Sequence, residues 1–167
     1  VAQQYQREIG FISRRVKDPI LAGFLLGKIS HAREAGVNLV VSEESFLPEP
    51  QEPGIINELV TILGNLVNNA VEAVTASPVK SVVVDLQYEE GLLTITIDDS
   101  GPGMTEEQRL HIFERGYSTK DTERGIGLAL VRQSLERLSG TAEVISEPGK
   151  GALFIVKIPY QSKGEME

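Results

Sequence analysis

The pattern of apolar and polar positions along the chain separates helical stretches from strand-like ones. The clearest helical pattern follows Gly54, where apolar residues recur every three or four positions. They form one stripe: Leu59, Ile62, Leu63, Leu66, Ala70 and Val74. β-rich runs over 81–88 and 92–97 predict one hairpin, and runs over 141–146 and 152–158 predict a second.

Shorter stretches around these elements predict further helices and one more strand. Asp18 and Pro19 are residue types preferred at the N-cap and first position of a helix, whereas Gly36 and Gly140 are placed to end helices. The remaining predicted elements are a helix over 2–16, a helix from Pro19 to about Ala35, a strand over 37–43, a short helix over 105–113 and a long helix over 125–139.

Helices and hairpins are segregated along the chain and do not alternate. This order favours an α+β two-layer α/β sandwich over a doubly wound sheet. We therefore expect a mixed, mostly antiparallel sheet with helices on one face, preceded by a short helical segment.

Composition and charge narrow the classes of function. A chain of 167 residues with 41% hydrophobic content can bury the core of one domain with a short appended segment. The absence of cysteine excludes disulfides and thiolate metal sites, and two histidines argue against a histidine metal cluster. A formal charge of -8 argues against a broad nucleic-acid surface. The longest apolar runs fall well short of the roughly 20 residues of a membrane span.

Candidate chemistry begins on the long helix after Gly54. Asn65 and Asn69 lie one turn apart on a flank beside the apolar stripe, together with Glu58 and Glu72. Their amide oxygens can converge on Mg²⁺, which accepts few protein ligands and keeps waters and substrate phosphates. A pair of solvated helix asparagines is the alternative, which this spacing alone does not exclude.

Two glycine-containing blocks complete the candidate site. Asp99 follows a strand, with Gly101 and Gly103 beyond it, so its carboxylate can accept from an exocyclic amine while the backbone approaches a flat base. An Asx turn that closes the strand is an equally good interpretation. Gly125 and Gly127 are placed to open the last helix, where free N–H groups bind anions. No Walker A sequence is present, which excludes a P-loop site.

Taken together, the blocks 65–73 (NLVNNAVEA), 99–103 (DSGPG) and 125–128 (GIGL) resemble the catalytic, ATP-binding domain of sensor histidine kinases. That family belongs to a superfamily with Hsp90-type chaperones, type II topoisomerases and mismatch-repair ATPases. Within it, 116–120 (GYSTK) and 124–131 (RGIGLALV) resemble the bacterial citrate and C4-dicarboxylate sensor kinases. The resemblance covers nearly the whole chain.

The resemblance implies a Bergerat-type sandwich that binds ATP and Mg²⁺. Asn65 and Asn69 would hold the metal, Asp99 would recognise the adenine amino group, and Asn65, Asn69 and Lys120 would serve catalysis. The implied nucleotide-binding residues are Asn69, Asp99, Gly101, Gly103, Ser118, Thr119, Lys120, Arg124, Gly125, Gly127 and Leu128.

The chain departs from the family pattern at three places. Asn65 occupies the position where hydrolysing relatives carry a glutamate base, and an amide cannot take a proton at neutral pH, so phosphotransfer is favoured over hydrolysis. Glu72 stands where many histidine kinases have Lys or Tyr. Neither His31 nor His111 is followed by an acidic residue, so neither matches the phosphoacceptor histidine.

We therefore expect residues 1–36 to be the tail of the dimerisation and phosphoacceptor helices, 37–160 the catalytic domain and 161–167 a polar tail. Val1 in place of an initiator methionine suggests an excised fragment. The expected partners are the protein's own phosphoacceptor helices and, indirectly, a response regulator. The expected parent protein is a homodimeric inner-membrane sensor, and this part of it is expected in the cytoplasm. No nucleic-acid partner is expected. The alternatives are an ATPase or serine kinase of the same superfamily, and a non-catalytic nucleotide-binding module.

Overall fold

The computed structural model describes residues 2–113 and 122–166, with side chains for 3–113 and 127–164. The described strands are β1 Asn38–Val41, β2 Ser81–Glu89, β3 Leu92–Asp99, β4 Thr141–Ser146 and β5 Ala152–Pro159. They form one sheet in the order β1-β2-β3-β5-β4. β1 pairs with β2 in parallel and every other neighbouring pair is antiparallel. The predicted mixed, mostly antiparallel sheet is confirmed.

The described helices are α1 Ala2–Arg15, α2 Pro19–Glu34, α3 Ile55–Val74, α4 Glu106–His111 and α5 Thr122–Leu138, with a 3-10 turn at Lys163–Met166. Asp18 caps α2 as predicted, because its carboxylate accepts from the N–H of Leu21 at 2.9 Å. Thr105 caps α4 through a reciprocal pair of hydrogen bonds with Gln108. Within the described ranges, the length and apolar character that a bilayer crossing requires do not occur together in any helix.

The core lies between α3 and one face of the sheet. The predicted apolar stripe of α3 is buried throughout, and the alternating strands bury Val84, Leu86 and Ile95 completely. Fully burying such a side chain stabilises the fold by about 1.5–3 kcal/mol relative to leaving it exposed. Side chains on the opposite face of the sheet, such as Asp85 and Asp98, remain partly or fully exposed.

Helices α1 and α2 share this core. Ile12, Val16, Leu21, Leu25 and Ile29 are all buried in the same cluster as the sheet residues. The predicted domain boundary after residue 36 stays a prediction, but the packing runs continuously across it.

Backbone pairing also fixes the end of α1 to the loop after β1. Val16 and Leu47 form a parallel bridge, in which the N–H of Leu47 donates to Arg15 and the N–H of Lys17 donates to Leu47, each at 2.9 Å. The Arg15 guanidinium donates to the carbonyl of Ser45 at 2.7 Å. The junction between α1 and α2 is therefore held to the body of the fold.

The two ends of α5 differ from the prediction. The helix begins at Thr122, three residues before the predicted start at Gly125. The prediction missed this first turn because it is polar and the apolar period starts only at Ile126. At the other end, where Gly140 is predicted to end the helix, Ser139 takes the left-handed conformation with a φ of 57°. Gly140 instead removes a side chain: a Cβ there would lie 2.9 Å from the carbonyl oxygen of Lys157 on β5.

Candidate functional site

The candidate site lies along one flank of α3. Asn65, Asn69 and Ala73 follow one another at intervals of one turn, so they span about 12 Å of helix. Two other chain segments approach this flank at its ends. Gly127 of α5 lies against Asn65, and Gly101, just after β3, lies against Ala73. The three sequence blocks therefore meet on a single helical flank.

At the Asn65 end, the amide of Asn65 is oriented by its own helix. Its Nδ2 donates to the carbonyl of Thr61 at 2.8 Å. Its Oδ1 lies 2.8 Å from the position that a Cβ on Gly127 would occupy. The glycine therefore makes room for the Asn65 side chain where α5 passes. Gly125 and Gly127 are the fourth and sixth residues of α5, so the free N–H groups of the first turn begin before them.

At the Ala73 end, Asp99 is the last residue of β3 and only 6% exposed. Its Oδ1 accepts from the N–H of Gly101 at 2.9 Å. A Cβ on Gly101 would lie 2.9 Å from that same oxygen and 3.0 Å from the carbonyl of Ala73. The Asx turn is thus present, and it coexists with a buried carboxylate at the edge of the flank. Asp98 is exposed and lies on the opposite face of the sheet.

The loop after Asp99 is fixed by the loop between β4 and β5. Gly103, with φ 74°, passes so close to the backbone of Glu147 that a Cβ would overlap its carbonyl oxygen. The N–H of Gly149 donates to Pro102 at 2.6 Å, and that of Met104 donates to Ser146 Oγ at 2.8 Å. The backbone beside Asp99 is therefore held in place before any ligand arrives.

Glu58, predicted on the same flank, has a different role. Its carboxylate accepts from Ser134 at 3.0 Å and from two nitrogens of Arg137 at 2.6 and 2.9 Å, both on α5. The Arg137 hydrogen bond holds the pKa of Glu58 below its ordinary value, against the opposing effect of burial. This ion pair fastens α5 to α3 two turns before Asn65.

A cavity of about 410 Å³ opens beside the Asn65–Asn69 part of the flank. It is lined by residues of three helices, among them Lys28, His31, Asn65, Asn69, Glu72 and Gly127. Asp99 and Gly101 are not among its lining residues, so the cavity covers the amide end of the flank only.

Lys28 lies on the wall that α2 gives to this cavity. Its Nζ donates to Asn68 Oδ1 at 2.8 Å and lies 5.5 Å from the ring centroid of Phe24. Burial lowers the pKa of Lys28. Its position in an apolar helical run, 40 residues before Asn68, carries no sequence signal.

The amide oxygens of Asn65 and Asn69 are groups of this flank that could serve as metal ligands. Among the described residues, no three His, Asp or Glu side chains cluster in a way that could hold a metal ion. One or two amide oxygens leave positions for waters and phosphate oxygens, which is how Mg²⁺ is usually bound.

Several predicted site residues are not tested by this geometry. Ser118, Thr119 and Lys120 lie outside the described residues, as does the side chain of Arg124, although its backbone belongs to the first turn of α5. Leu128 is 2% exposed and packs in the core, so only its backbone is placed to meet a ligand.

A family model described as "Histidine kinase-, DNA gyrase B-, and HSP90-like ATPase" matches residues 54–162. The sensor histidine kinase DcuS of Escherichia coli K12 is 43% identical over 162 residues, which cover 97% of this chain and 30% of DcuS. The sensor protein CitS of Bacillus subtilis is 43% identical over 143 residues, which cover 83% of this chain and 26% of CitS. The chain thus spans about three tenths of these relatives.

Two solved structures extend the comparison. Full-length ShkA in complex with AMPPNP superposes with a TM-score of 0.70 at 28% identity, over 84% of this chain and 30% of ShkA. The nucleotide-free catalytic domain of the histidine kinase ThkA superposes with a TM-score of 0.63 at 21% identity, over 82% of this chain and 88% of that domain. The predicted sandwich architecture is confirmed by these superpositions.

Proposed function

The chain belongs to the family of histidine kinase-, DNA gyrase B- and HSP90-like ATPases, and we propose that it is the ATP-binding catalytic part of a sensor histidine kinase of the citrate and C4-dicarboxylate type. Family membership confirms the resemblance inferred from the three sequence blocks. The observation that carries the proposal is the α3 flank, where Asn69 lies between the Gly127 contact at Asn65 and the Gly101 contact at Ala73.

The base of the nucleotide belongs at the Ala73 end in this proposal. The Asp99 carboxylate would accept from the exocyclic amine of adenine, which selects ATP over a base that carries a carbonyl there. Gly101 packs against Ala73 and Asp99 where a Cβ would not fit, and its lack of a side chain would let the backbone approach the base. The buried position of Asp99 strengthens such a hydrogen bond because water competes less for it.

The phosphates belong at the Asn65–Asn69 end, beside the first turn of α5. Asn69 and Asn65 would hold Mg²⁺, which when bound neutralises phosphate charge. The N–H groups of the first turn of α5 attract the anion, and Gly125 and Gly127 keep side chains away from its approach. Ser118, Thr119, Lys120 and Arg124 would complete the phosphate contacts as a lid.

In this proposal the γ-phosphate is transferred to a histidine outside this chain. Phosphoryl transfer is catalysed mainly by positioning and by neutralising charge, so no protein base is needed at Asn65. His31 and His111 lack the adjacent acid expected of an acceptor. The acceptor would then be a dimerising helix of the full-length protein, which would pass the phosphoryl group to a response regulator.

The test of nucleotide binding is a calorimetric titration with ATP, with and without Mg²⁺. We expect Asn69→Ala to weaken ATP binding about tenfold or more with Mg²⁺ present and to change it little in EDTA, because the amide acts through the metal. Asn57→Ala is the matched control, since Asn57 is an exposed asparagine at the start of the same helix. Equal losses with and without metal would contradict the assignment of Asn69 as a ligand.

A second measurement separates phosphotransfer from hydrolysis. Release of inorganic phosphate from ATP should be slow or absent, because Asn65 cannot act as a general base. Rapid release by the wild-type chain would favour the ATPase alternative.

A further inference from the structure

The cavity beside the α3 flank receives one wall from α2, a helix that lies outside the residues matched by the family model. α2 runs parallel to α3 at this point: the Phe24 ring lies over Gly64, and Lys28 reaches Asn68 one turn later. This register brings Lys28 to the level of Asn69, where the proposed function requires metal and phosphates.

In the described part of the chain, Lys28 is a cation that forms no ion pair with a carboxylate. Its ammonium carries three donors, and the described contacts use one of them, on Asn68. Within the described ranges no Asp or Glu forms an ion pair with it, and burial alone lowers its pKa. A half-buried positive charge that is not balanced by the protein favours a bound anion, since the anion then supplies the missing charge.

The α3 flank itself lacks such a charge. Glu72 also lines the cavity and adds negative charge close to the phosphate end, and His31 is exposed there. Among the described lining residues, Lys28 is the one lysine or arginine.

From this placement we infer that Lys28 binds the phosphates of the nucleotide, so that α2 supplies a phosphate-binding residue to the site. The inference rests on the proposed function and adds a residue to it.

The experiment compares ATP, ADP and AMP binding by calorimetry, in Mg²⁺, for the wild-type chain and Lys28→Met. We expect ATP affinity to fall about tenfold, ADP affinity to fall less, and AMP affinity to stay within about twofold, because each phosphate lost removes part of the interaction. Lys28→Arg keeps the charge and should retain most of the ATP affinity.

Two matched variants separate phosphate binding from a structural role. Asn68→Ala removes the hydrogen bond between α2 and α3 but keeps the ammonium, so ATP affinity should stay within about twofold of wild type. Lys157→Met removes an exposed lysine from β5 and should leave all three affinities unchanged. Thermal unfolding checks that each variant folds, and Lys28→Gln replaces Lys28→Met if the latter is unstable.

The outcomes distinguish this inference from the proposed function. Wild-type binding of ATP with no change in Lys28→Met would overturn the inference alone. A loss of the same size for ATP, ADP and AMP would also overturn it, because it would show that Lys28 supports packing. Failure of the wild-type chain to bind any nucleotide would overturn both.

Discussion

Gly127→Ala tests whether the contact between α5 and Asn65 sets the metal end of the site. A Cβ at this position would lie 2.8 Å from Asn65 Oδ1, and the neighbouring Cγ would be 3.5 Å away. The end of a side chain can move where backbone cannot. We therefore expect the Asn65 amide to rotate away and α5 to keep its place.

The stability effects of this substitution should nearly cancel. Replacing a glycine in a helix interior by alanine stabilises the helix by about 0.8–1.0 kcal/mol. Rotation of the amide breaks the hydrogen bond from Asn65 to Thr61, which costs about 1 kcal/mol. The net change should be within about 1 kcal/mol of zero, whereas ATP affinity in Mg²⁺ should fall about tenfold because the metal ligand is displaced.

A double-mutant cycle with Asn65→Ala isolates the mechanism. In the Asn65→Ala background the clash is absent, so Gly127→Ala should stabilise the chain by the full helix-propensity gain, an increase in Tm of about 2–4 °C. In that background it should have no further effect on ATP affinity.

Gly23→Ala is the matched control for the cycle, because Gly23 lies inside α2 with open space around its Cα. It should raise Tm by a similar amount and leave nucleotide binding unchanged. The reasoning is refuted if Gly127→Ala binds Mg·ATP as tightly as wild type, or if its binding defect persists without Asn65.

Two further predictions concern Asp99 and Glu58. Asp99→Asn should weaken ATP and ADP binding alike by about tenfold in a chain that still folds, since the Asn oxygen can still accept from Gly101. Binding of GTP by the wild-type chain as tightly as ATP would disprove the base assignment. The Arg137 hydrogen bond lowers the pKa of Glu58 in the folded state below 4.5. The ionised Glu58 therefore stabilises the fold fully above about pH 4.5, and this contribution is lost as the pH falls through the folded-state pKa. Urea unfolding should therefore show that Glu58→Gln has a lower free energy of unfolding than wild type at neutral pH, and that this difference shrinks in acid. A difference that stays constant from about pH 7 to 3 would contradict this role of the ion pair.

The long, regular elements were predictable because their patterns are local. The α3 stripe repeats over about four turns. β2 is rich in β-branched valines, and the alternation in β3 gives both the strand and its buried face. The start of α5 was not predictable, since its first turn contains no apolar residue before Ile126. The end of α5 was not predictable either, because Ser139 takes the left-handed conformation there. Gly140 is needed for a different reason, its close tertiary contact with the backbone of Lys157.

The site was predictable only where its residues form short blocks. Asn65, Asn69 and Asp99 stand in recognisable local patterns, whereas the partners that position them come from distant parts of the chain. Arg137 meets Glu58 across 79 residues, and Lys28 meets Asn68 across 40. Such pairings depend on how α2 and α5 pack on α3, and no local pattern specifies that packing.

The continuous core across residue 36 limits how this fold can be exchanged between proteins. Ile12 and Val16 are almost fully buried, and only Val16, Lys17 and Asp18 separate α1 from α2. A chimera joined at residue 37 would replace α1 and α2, which contribute to the core and, through α2, to the cavity. A chimera joined ahead of α1 would keep both helices. Leu47 forms backbone hydrogen bonds with Arg15 and Lys17, which lie on either side of Val16 in this short junction. These bonds restrict bending between α1 and α2. A rotation of α1 would then be transmitted to α2 and would displace Lys28.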